Sequence, residues 1–454
     1  MSSRRMFGTD GVRDLSNRGH MRPEAVLRLG LAFGAFLRSR GSDRPRVVLG
    51  ADTRGSRDML LCALSAGLAS AGVEVVSAGV MPTPGVSTVA SRAGFDGGAV
   101  ISASHNPPEY NGVKFFDSRG FKLSDEEEAE VESLFEGDLE GFRSAPQGVG
   151  RVLEDGSLKG LYEGFLMGFA SEVDLSGKRV VLDCANGACW EIAPRLFEAM
   201  GARLSLIGCA PDGSNINQGV GVTHLEALRS RVLEERAHFG VAYDGDGDRV
   251  LFVDALGRTV DGDLMLYALA RFYRREGRLG AGVVATVMSN MGLEAKLQEE
   301  GIRVFRCPVG DRYVVEKALE VGSRLGGEQS GHVVALDLSS TGDGMLTALL
   351  LMRALSALGL KLEDLSDLVP RFHQRLLNFR VEDASLRRSL PSHPALLEEI
   401  ASWEERLTGR GRIFVRPSGT EPLVRVLIEA EEEGILEEVA SSISHRISSL
   451  TGIA

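Results

Sequence analysis

Residues 244–249 read Asp-Gly-Asp-Gly-Asp-Arg, directly after the apolar run Phe239 to Tyr243. Three carboxylates on alternate residues repel one another and raise one another's pKa unless a cation sits among them. Alternate residues of an extended chain share one face, and the glycines between them let the chain curl so that the oxygens converge. Oxygen ligands of this kind suit a hard divalent ion such as Mg2+ or Ca2+. An EF-hand loop starting at Asp244 would need Gly at its sixth position and Glu at its twelfth. The chain has Arg249 and Ala255 there, so that reading fails. A cation site and an aspartyl-phosphate enzyme, with one aspartate as nucleophile, both stay open. The plain alternative is a surface turn, because Asp-Gly is a common hairpin dipeptide.

Three other segments carry chemical groups. Residues 101–116 run from an apolar strand into Ser102-Ala103-Ser104-His105-Asn106-Pro107 and then Asn111-Gly112-Val113-Lys114. A serine on a Pro-stopped, Asn/Gly-rich turn is held beyond a strand's carboxyl end, where α/β proteins bind ligands. His105 and Lys114 bring basic groups to it, and a phosphorylated Ser104 would offer oxygens to a cation. An ordinary serine turn is the bland reading of the same residues. In Gly326-Gly327-Glu328-Gln329-Ser330-Gly331-His332 the glycines permit close approach to a ligand, and Glu, Gln and Ser suit sugar hydroxyls. Arg416-Pro417-Ser418-Gly419-Thr420-Glu421-Pro422, followed by Arg425, has the makings of a phosphate clamp. Either of these last two loops alone reads equally well as a structural turn.

The elements that must position these loops alternate in type. Val47-Val48-Leu49, a helix near Ser56 to Ala71, Val73 to Val76 and Ala99-Val100-Ile101 form a first unit. A second unit has Val180-Val181-Leu182, a helix ending near Met200-Gly201, Leu204-Ser205-Leu206, a helix near His224 to Glu235 and Phe239 to Tyr243. A third has Val283-Val284-Ala285, a helix near Leu293 to Glu300, a strand at Ile302-Arg303-Val304-Phe305 and Val333-Val334-Ala335. This alternation predicts parallel α/β layers with right-handed crossovers. After Leu368-Val369-Pro370 the rhythm changes: strands near 378–381, 413–415 and 424–428 with helices near 394–407 and 432–449 predict a smaller α+β domain. Ser124-Asp125-Glu126-Glu127 is a capping-box pattern opening a solvated acidic helix.

Length and composition bound the rest. At 454 residues the chain is too long for one core, which predicts about three or four domains. A net charge of −12 argues against a nucleic-acid partner. Five scattered cysteines without a Cys-x-x-Cys favour free thiols in a reducing cytoplasm. Met1 to Phe7 has no apolar segment of the signal-peptide kind. The apolar stretch near Leu346 to Leu360 is interrupted by Arg353 and too short to span a bilayer. These features predict a cytoplasmic protein with no membrane partner.

Taken in order, Phe7-Gly8-Thr9-Asp10-Gly11-Val12-Arg13, the Ser104 segment, the triple-aspartate loop, Val309-Gly310-Asp311-Arg312-Tyr313, Gly327 to His332 and Arg416 to Pro422 resemble the α-D-phosphohexomutases. The resemblance covers nearly the whole chain, and the sugar and phosphate loops resemble the amino-sugar branch of that family. Pro417 stands where some members of the branch have Lys. The family implies three similar α/β domains with mixed, mainly parallel sheets and a smaller C-terminal α+β domain around a central cleft. The divisions are expected at 1–150 (phosphoserine loop), 151–254 (metal loop), 255–369 (sugar loop) and 370–454 (phosphate loop).

The resemblance further implies that Ser104 is a phosphoserine and that Asp244, Asp246 and Asp248 hold one Mg2+ per chain together with Ser104 and its phosphate. Glu328 and Ser330 would grip sugar hydroxyls, and Arg416, Ser418, Gly419, Thr420 and Arg425 the phosphate that is not reacting. Arg13, His105, Lys114, Arg249 and His332 would transfer protons or stabilise charge. The implied reaction is an isomerisation of glucosamine 6-phosphate and glucosamine 1-phosphate through a bound glucosamine 1,6-bisphosphate, which could also prime the enzyme. Its product would feed UDP-N-acetylglucosamine and cell-wall precursor synthesis. A small-molecule sugar phosphate is thus the expected partner, with a homodimer as a family-level expectation. The rival readings are a mutase preferring glucose or mannose phosphates and a non-catalytic sugar-phosphate-binding sensor.

Overall fold

The computed structural model describes residues 6–8, 10–418 and 422–452. The chain divides into two compact units. One comprises Met1–Thr286 with Phe305–Ser366, and the other Val287–Val304 with Asp367–Ala454.

The first unit is built on α/β sheets. A six-stranded sheet has the order Val12–Leu15, Tyr110–Asp117, Gly97–Ile101, Arg46–Ala51, Glu74–Val80, Val152–Glu154. Its four strands from Gly97–Ile101 onward pair in parallel, whereas Tyr110–Asp117 runs antiparallel to both its neighbours. The β-branched run Val47-Val48 is buried on both sides of the sheet, as expected for strands covered by helices on two faces. Val152–Glu154 joins this sheet although it lies past the expected division at residue 150. Asn111-Gly112, read from sequence as part of a turn, belongs to the strand Tyr110–Asp117 and pairs with Asp14 and Arg13. Pairing with the start of the chain overrides the local turn preference of that dipeptide.

A five-stranded sheet has the order Thr259–Val260, Val250–Asp254, Phe239–Tyr243, Arg179–Asp183, Arg203–Ile207. Its last three strands are parallel, and Val250–Asp254 turns back antiparallel against Phe239–Tyr243. The triple-aspartate loop is therefore the connection between two adjacent, fully buried strands. A four-stranded sheet has the order Val304–Cys307, Val283–Thr286, Leu325–Gly327, Val333–Ala335. Here the sequence placed one strand two residues early. Ile302 instead closes the preceding helix, its amide donating to Leu297 O at 2.8 Å. The acidic helix Asp125–Glu136 carries the expected capping box, with Ser124 and Glu127 each satisfying the other's backbone amide.

Helix Gly344–Leu358 is almost wholly buried. Among the described residues no single helix is long and apolar enough to cross a membrane. That helix and Leu362–Leu368 pass such a test only as a pair bent by 77°.

The second unit has a three-stranded antiparallel sheet in the order His373–Arg380, Leu423–Ala430, Gly411–Pro417. Helices Pro394–Leu407 and Glu433–Thr451 belong to it. Leu396, Trp403, Val426, Ile428, Val439 and Ile443 pack its core. The sequence located both helices and two of the strands, caught only the last three residues of His373–Arg380, and missed the short helix Ala384–Ser389.

Candidate active site: a serine, three aspartates and a buried lysine

Asp244, Asp246 and Asp248 are all buried, and one carboxylate oxygen from each lies within 4.8 Å of the others. Two glycines make this possible. A Cβ on Gly245 would stand 2.6 Å from Ser104 O, and Gly247 has a φ of 76°, which L side chains rarely adopt. Burial, together with repulsion from Asp248 and Asp246, pushes the Asp244 carboxyl well above its usual range. Burial also works against ionisation of Asp248, yet Lys114, His332 and Arg249 overcome it and hold Asp248 well below the usual range. Asp246 Oδ1 and Asp248 Oδ1 are buried without a hydrogen-bond partner. Orphaned carboxylate oxygens are costly in a protein interior, and a hard cation is the group that this donor set fits.

Ser104 meets that group directly. It is fully buried and has a φ of 52°, in the left-handed region. Its hydroxyl donates to Asp244 Oδ2 at 2.6 Å and lies 3.3 Å from His105 Nδ1. Burial, with Arg249 and Arg13, pushes the His105 imidazole down to about 4, so the ring is neutral at neutral pH. Lys114 Nζ stands among three carboxylates: Asp246 Oδ2 at 2.7 Å, Asp10 Oδ2 at 2.9 Å and Asp248 Oδ2 at 3.6 Å.

The strand after the metal loop brings in the sugar loop. Val250 N donates to Gly331 O at 3.1 Å, and Arg249 forms a β-bridge with His332. The His332 ring lies between two carboxylates, with Nδ1 3.8 Å from Asp248 Oδ2 and Nε2 3.9 Å from Asp311 Oδ2. Glu328 is buried and accepts from Gly310 N at 3.1 Å, while Ser330 is exposed. Arg13 Nε and Arg249 Nε are buried without a hydrogen-bond partner, a donor pair that suits an anion, and His332 Nε2 is a further unpartnered polar atom. In the second unit, Arg416 and Arg425 sit directly opposite each other on adjacent strands, and burial plus the charge of Arg425 lowers the Arg416 pKa. Two guanidinium groups on facing residues make a donor set that suits an anion. Ser418 N closes the hairpin on Leu423 O at 2.8 Å, and Gly419 and Thr420 lie outside the described residues.

Models of the phosphoglucomutase/phosphomannomutase family match the chain at residues 4–141 (α/β/α domain I), 161–257 (domain II), 261–372 (domain III) and 376–446 (C-terminal domain). A phosphoglucosamine mutase of Pelotomaculum thermopropionicum is 49% identical over 96% of this chain and 98% of its own length. The chain belongs to the phosphoglucomutase/phosphomannomutase family. A phosphoglucosamine mutase of Thermus thermophilus is 48% identical over 99% of this chain and 98% of its own length. Among solved structures, a phosphoglucomutase/phosphomannomutase family protein of Burkholderia thailandensis has the same fold. Its TM-score is 0.82 at 24% identity, covering 99% of this chain and 98% of that one. The N-acetylphosphoglucosamine mutase of Aspergillus fumigatus, solved with GlcNAc-6P and magnesium, shares the fold at a TM-score of 0.69 and 18% identity. That match covers 98% of this chain and 96% of that one.

Several residues that shape this phosphohexomutase site were not singled out from sequence. Arg54 is fully buried and spans the Ser104 loop. Its Nη2 donates to Ser104 O at 2.9 Å and Asn106 O at 2.8 Å, and its Nη1 to Tyr110 O at 3.0 Å and also to Pro107 O. Asp52 accepts from Arg54 Nε at 2.9 Å and from Ser102 Oγ at 2.7 Å. Asn217 Nδ2 reaches Ser104 O at 2.9 Å and Asn106 O at 3.0 Å from the metal-loop side. Lys122 pairs with Asp10 and Asp311. Asp52-Thr53-Arg54 follows an apolar strand and so carried a usable signal, whereas Asn217 and Lys122 carried none.

Asp183, at the end of its strand, supports the metal loop from behind. It accepts from Ala185 N at 2.8 Å and Gly221 N at 2.7 Å, and Ala188 N in turn donates to Gly245 O at 2.8 Å. Burial raises its carboxyl from 3.8 to about 6 despite those two bonds. The native state therefore binds this proton more tightly than the unfolded chain. The stabilisation is fully present below about 4 and is lost as pH rises through about 6, a change of about 3 kcal/mol. In urea titrations the stability of the unsubstituted protein minus that of Asp183→Asn should fall by that order from pH 4 to pH 7, moving in favour of the variant. Parallel pH profiles for the two proteins would refute the assignment.

Proposed function

We propose that this chain interconverts glucosamine 6-phosphate and glucosamine 1-phosphate through a phosphoserine at Ser104 and a bound 1,6-bisphosphate. The observation that carries the chemistry is the buried Ser104 hydroxyl, 2.6 Å from Asp244 within the triple-carboxylate group. The 48% and 49% identity to phosphoglucosamine mutases supports the amino-sugar substrate. On this reading Asp244, Asp246 and Asp248 are ligands of Mg2+ and the nucleophile lies outside the aspartate loop. Bound there, the ion would neutralise charge on the phosphoryl group in transit.

The chain's own residues supply the rest. Phospho-Ser104 gives its phosphoryl group to the free hydroxyl of the sugar phosphate: the sugar O–P bond forms as the Ser104 Oγ–P bond breaks, and the hydroxyl proton ends on Ser104 Oγ. The bisphosphate then turns over and returns its other phosphoryl group to Ser104. His105 is neutral and 3.3 Å from Ser104 Oγ, so it can take the serine proton as that oxygen is rephosphorylated. Arg13 and Arg249 direct N–H groups at the transferring phosphate, His332 flanks them, and Lys114 stabilises charge beside the aspartates. Glu328 and Ser330 bind sugar hydroxyls. Arg416, Ser418, Gly419, Thr420 and Arg425 hold the non-reacting phosphate, which the opposed arginines favour.

One assay tests the substrate. Purified protein with Mg2+ and a trace of bisphosphate is compared on glucosamine, glucose and mannose 1-phosphates. The expected result is a kcat/KM at least about tenfold higher for the amino sugar, because polar recognition at carbon 2 discriminates strongly. A preference for either neutral sugar would sink this reading in favour of a phosphoglucomutase or phosphomannomutase.

A further inference from the structure

We infer that Thr83 is a positioning residue for the metal loop: it turns the Asp246 carboxylate so that Oδ1 faces the cation. The inference rests on the reading of Asp244, Asp246 and Asp248 as Mg2+ ligands. Thr83 is fully buried and opens the helix Thr83–Arg92. It holds Asp246 at both ends, its amide donating to the backbone carbonyl at 2.9 Å and its hydroxyl to Oδ2 at 2.6 Å. The amide is one that a helix start leaves without an intrahelical acceptor, so the contact satisfies both partners.

The consequence lies in which oxygen is occupied. Oδ2 takes two donors, the Thr83 hydroxyl and Lys114 Nζ at 2.7 Å, while the buried Oδ1 takes none. Two donors on one oxygen fix the rotation of the carboxylate about its Cβ–Cγ bond. Asp246 is one of three residues whose carboxylates converge within 4.8 Å, and Oδ1 is the oxygen that its protein partners leave for a ligand. With Lys114 as the sole remaining donor, rotation is less restrained, and an ammonium, free to approach from a range of directions, specifies orientation poorly. Partners that orient a ligating carboxylate are typically worth about 10- to 100-fold in metal affinity.

The test uses the full chain and reads metal binding directly, by calorimetric titration with Mg2+ and by the electron-paramagnetic-resonance signal of Mn2+. Thr83→Val removes the hydroxyl at constant shape and should weaken binding by about 10- to 100-fold. Thr83→Ser keeps the hydroxyl and should stay within about threefold of the unsubstituted protein, which a packing role for the threonine methyl would not produce. Thr83→Ala gives the same comparison if valine crowds the site. Asp246→Asn serves as the control for the underlying reading. Unchanged affinity in Thr83→Val and Thr83→Ala, with binding lost in Asp246→Asn, would overturn the role of Thr83 and leave the metal loop standing. A serine variant as weak as the valine variant would overturn it too. Undiminished binding in Asp246→Asn would instead overturn the metal assignment itself.

Discussion

Ser104→Ala is expected to abolish phosphoryl transfer while leaving the protein folded. Alanine has no oxygen to carry the phosphoryl group between substrate and product. Other buried hydroxyls cannot substitute, because transfer demands alignment as well as an acceptor. In the active protein, mass spectrometry should find one phosphoryl group on the peptide containing Ser104, and none on that peptide from the variant. The loss in kcat should be at least about 10⁴-fold, the scale on which removal of a nucleophile acts. The fold should survive: the variant leaves the buried Asp244 Oδ2 without the Ser104 donor, a cost of about 1–3 kcal/mol. A variant that keeps kcat within about tenfold, or an active enzyme never phosphorylated at Ser104, would overturn the phosphoserine mechanism, whereas unsubstituted protein that binds sugar phosphates without turning them over would favour the sugar-phosphate sensor.

Arg54→Met should be strongly destabilising although it removes none of the proposed catalytic groups. Methionine preserves much of the volume and removes all of the donors. Asp52 would then be a buried carboxylate whose main counter-charge is gone. Burial already raises its pKa, with Arg54 the largest opposing influence and Ser102 the next. Breaking a buried ion pair from one side costs about 3–5 kcal/mol. The carbonyls of Pro107 and Tyr110 would also lose the Arg54 donor, whereas Ser104 O and Asn106 O keep Asn217. The loop that holds Ser104 at a φ of 52° would relax, and misplacing a nucleophile by about 1 Å costs roughly 100-fold in rate. Urea unfolding and kcat measured side by side check both effects. The double variant Asp52→Asn with Arg54→Met should regain part of the stability and none of the activity, since neutralising residue 52 does not restore the carbonyl contacts. Recovery of both by the double variant would show that Arg54 serves the charge of Asp52 alone.

These two residues mark the reach of sequence reasoning here. Ser104 was legible because its neighbours are local: His105 and Pro107 stand within three residues of it, after an apolar strand. The capping box at Ser124 and Glu127 was legible for the same reason. Arg54 was passed over although it follows its strand immediately. Nothing in the chain near it shows that its fork closes on carbonyls of residues 104 to 110. Asn111-Gly112 misled in the opposite direction. Their local preference is for a turn, and pairing with Asp14 and Arg13 turned them into strand.

By itself, the sequence determined the inventory of groups: three alternating carboxylates, a serine beyond a strand, a Gly-rich polar loop and a pair of arginines. Spacing of one or two residues suffices for that, because a short peptide brings such groups together whatever the rest of the chain does. Tertiary structure alone decided which atoms of those groups are committed and which are left for a ligand. Asp246 is read as a metal residue from its position in the loop. Its Oδ1 is left unpartnered by the convergence of Thr83 and Lys114 on Oδ2. Those three residues lie far apart in the chain, and only the pairing of strands and the burial that follows bring their polar atoms within bonding distance in a site where unmet bonds are expensive.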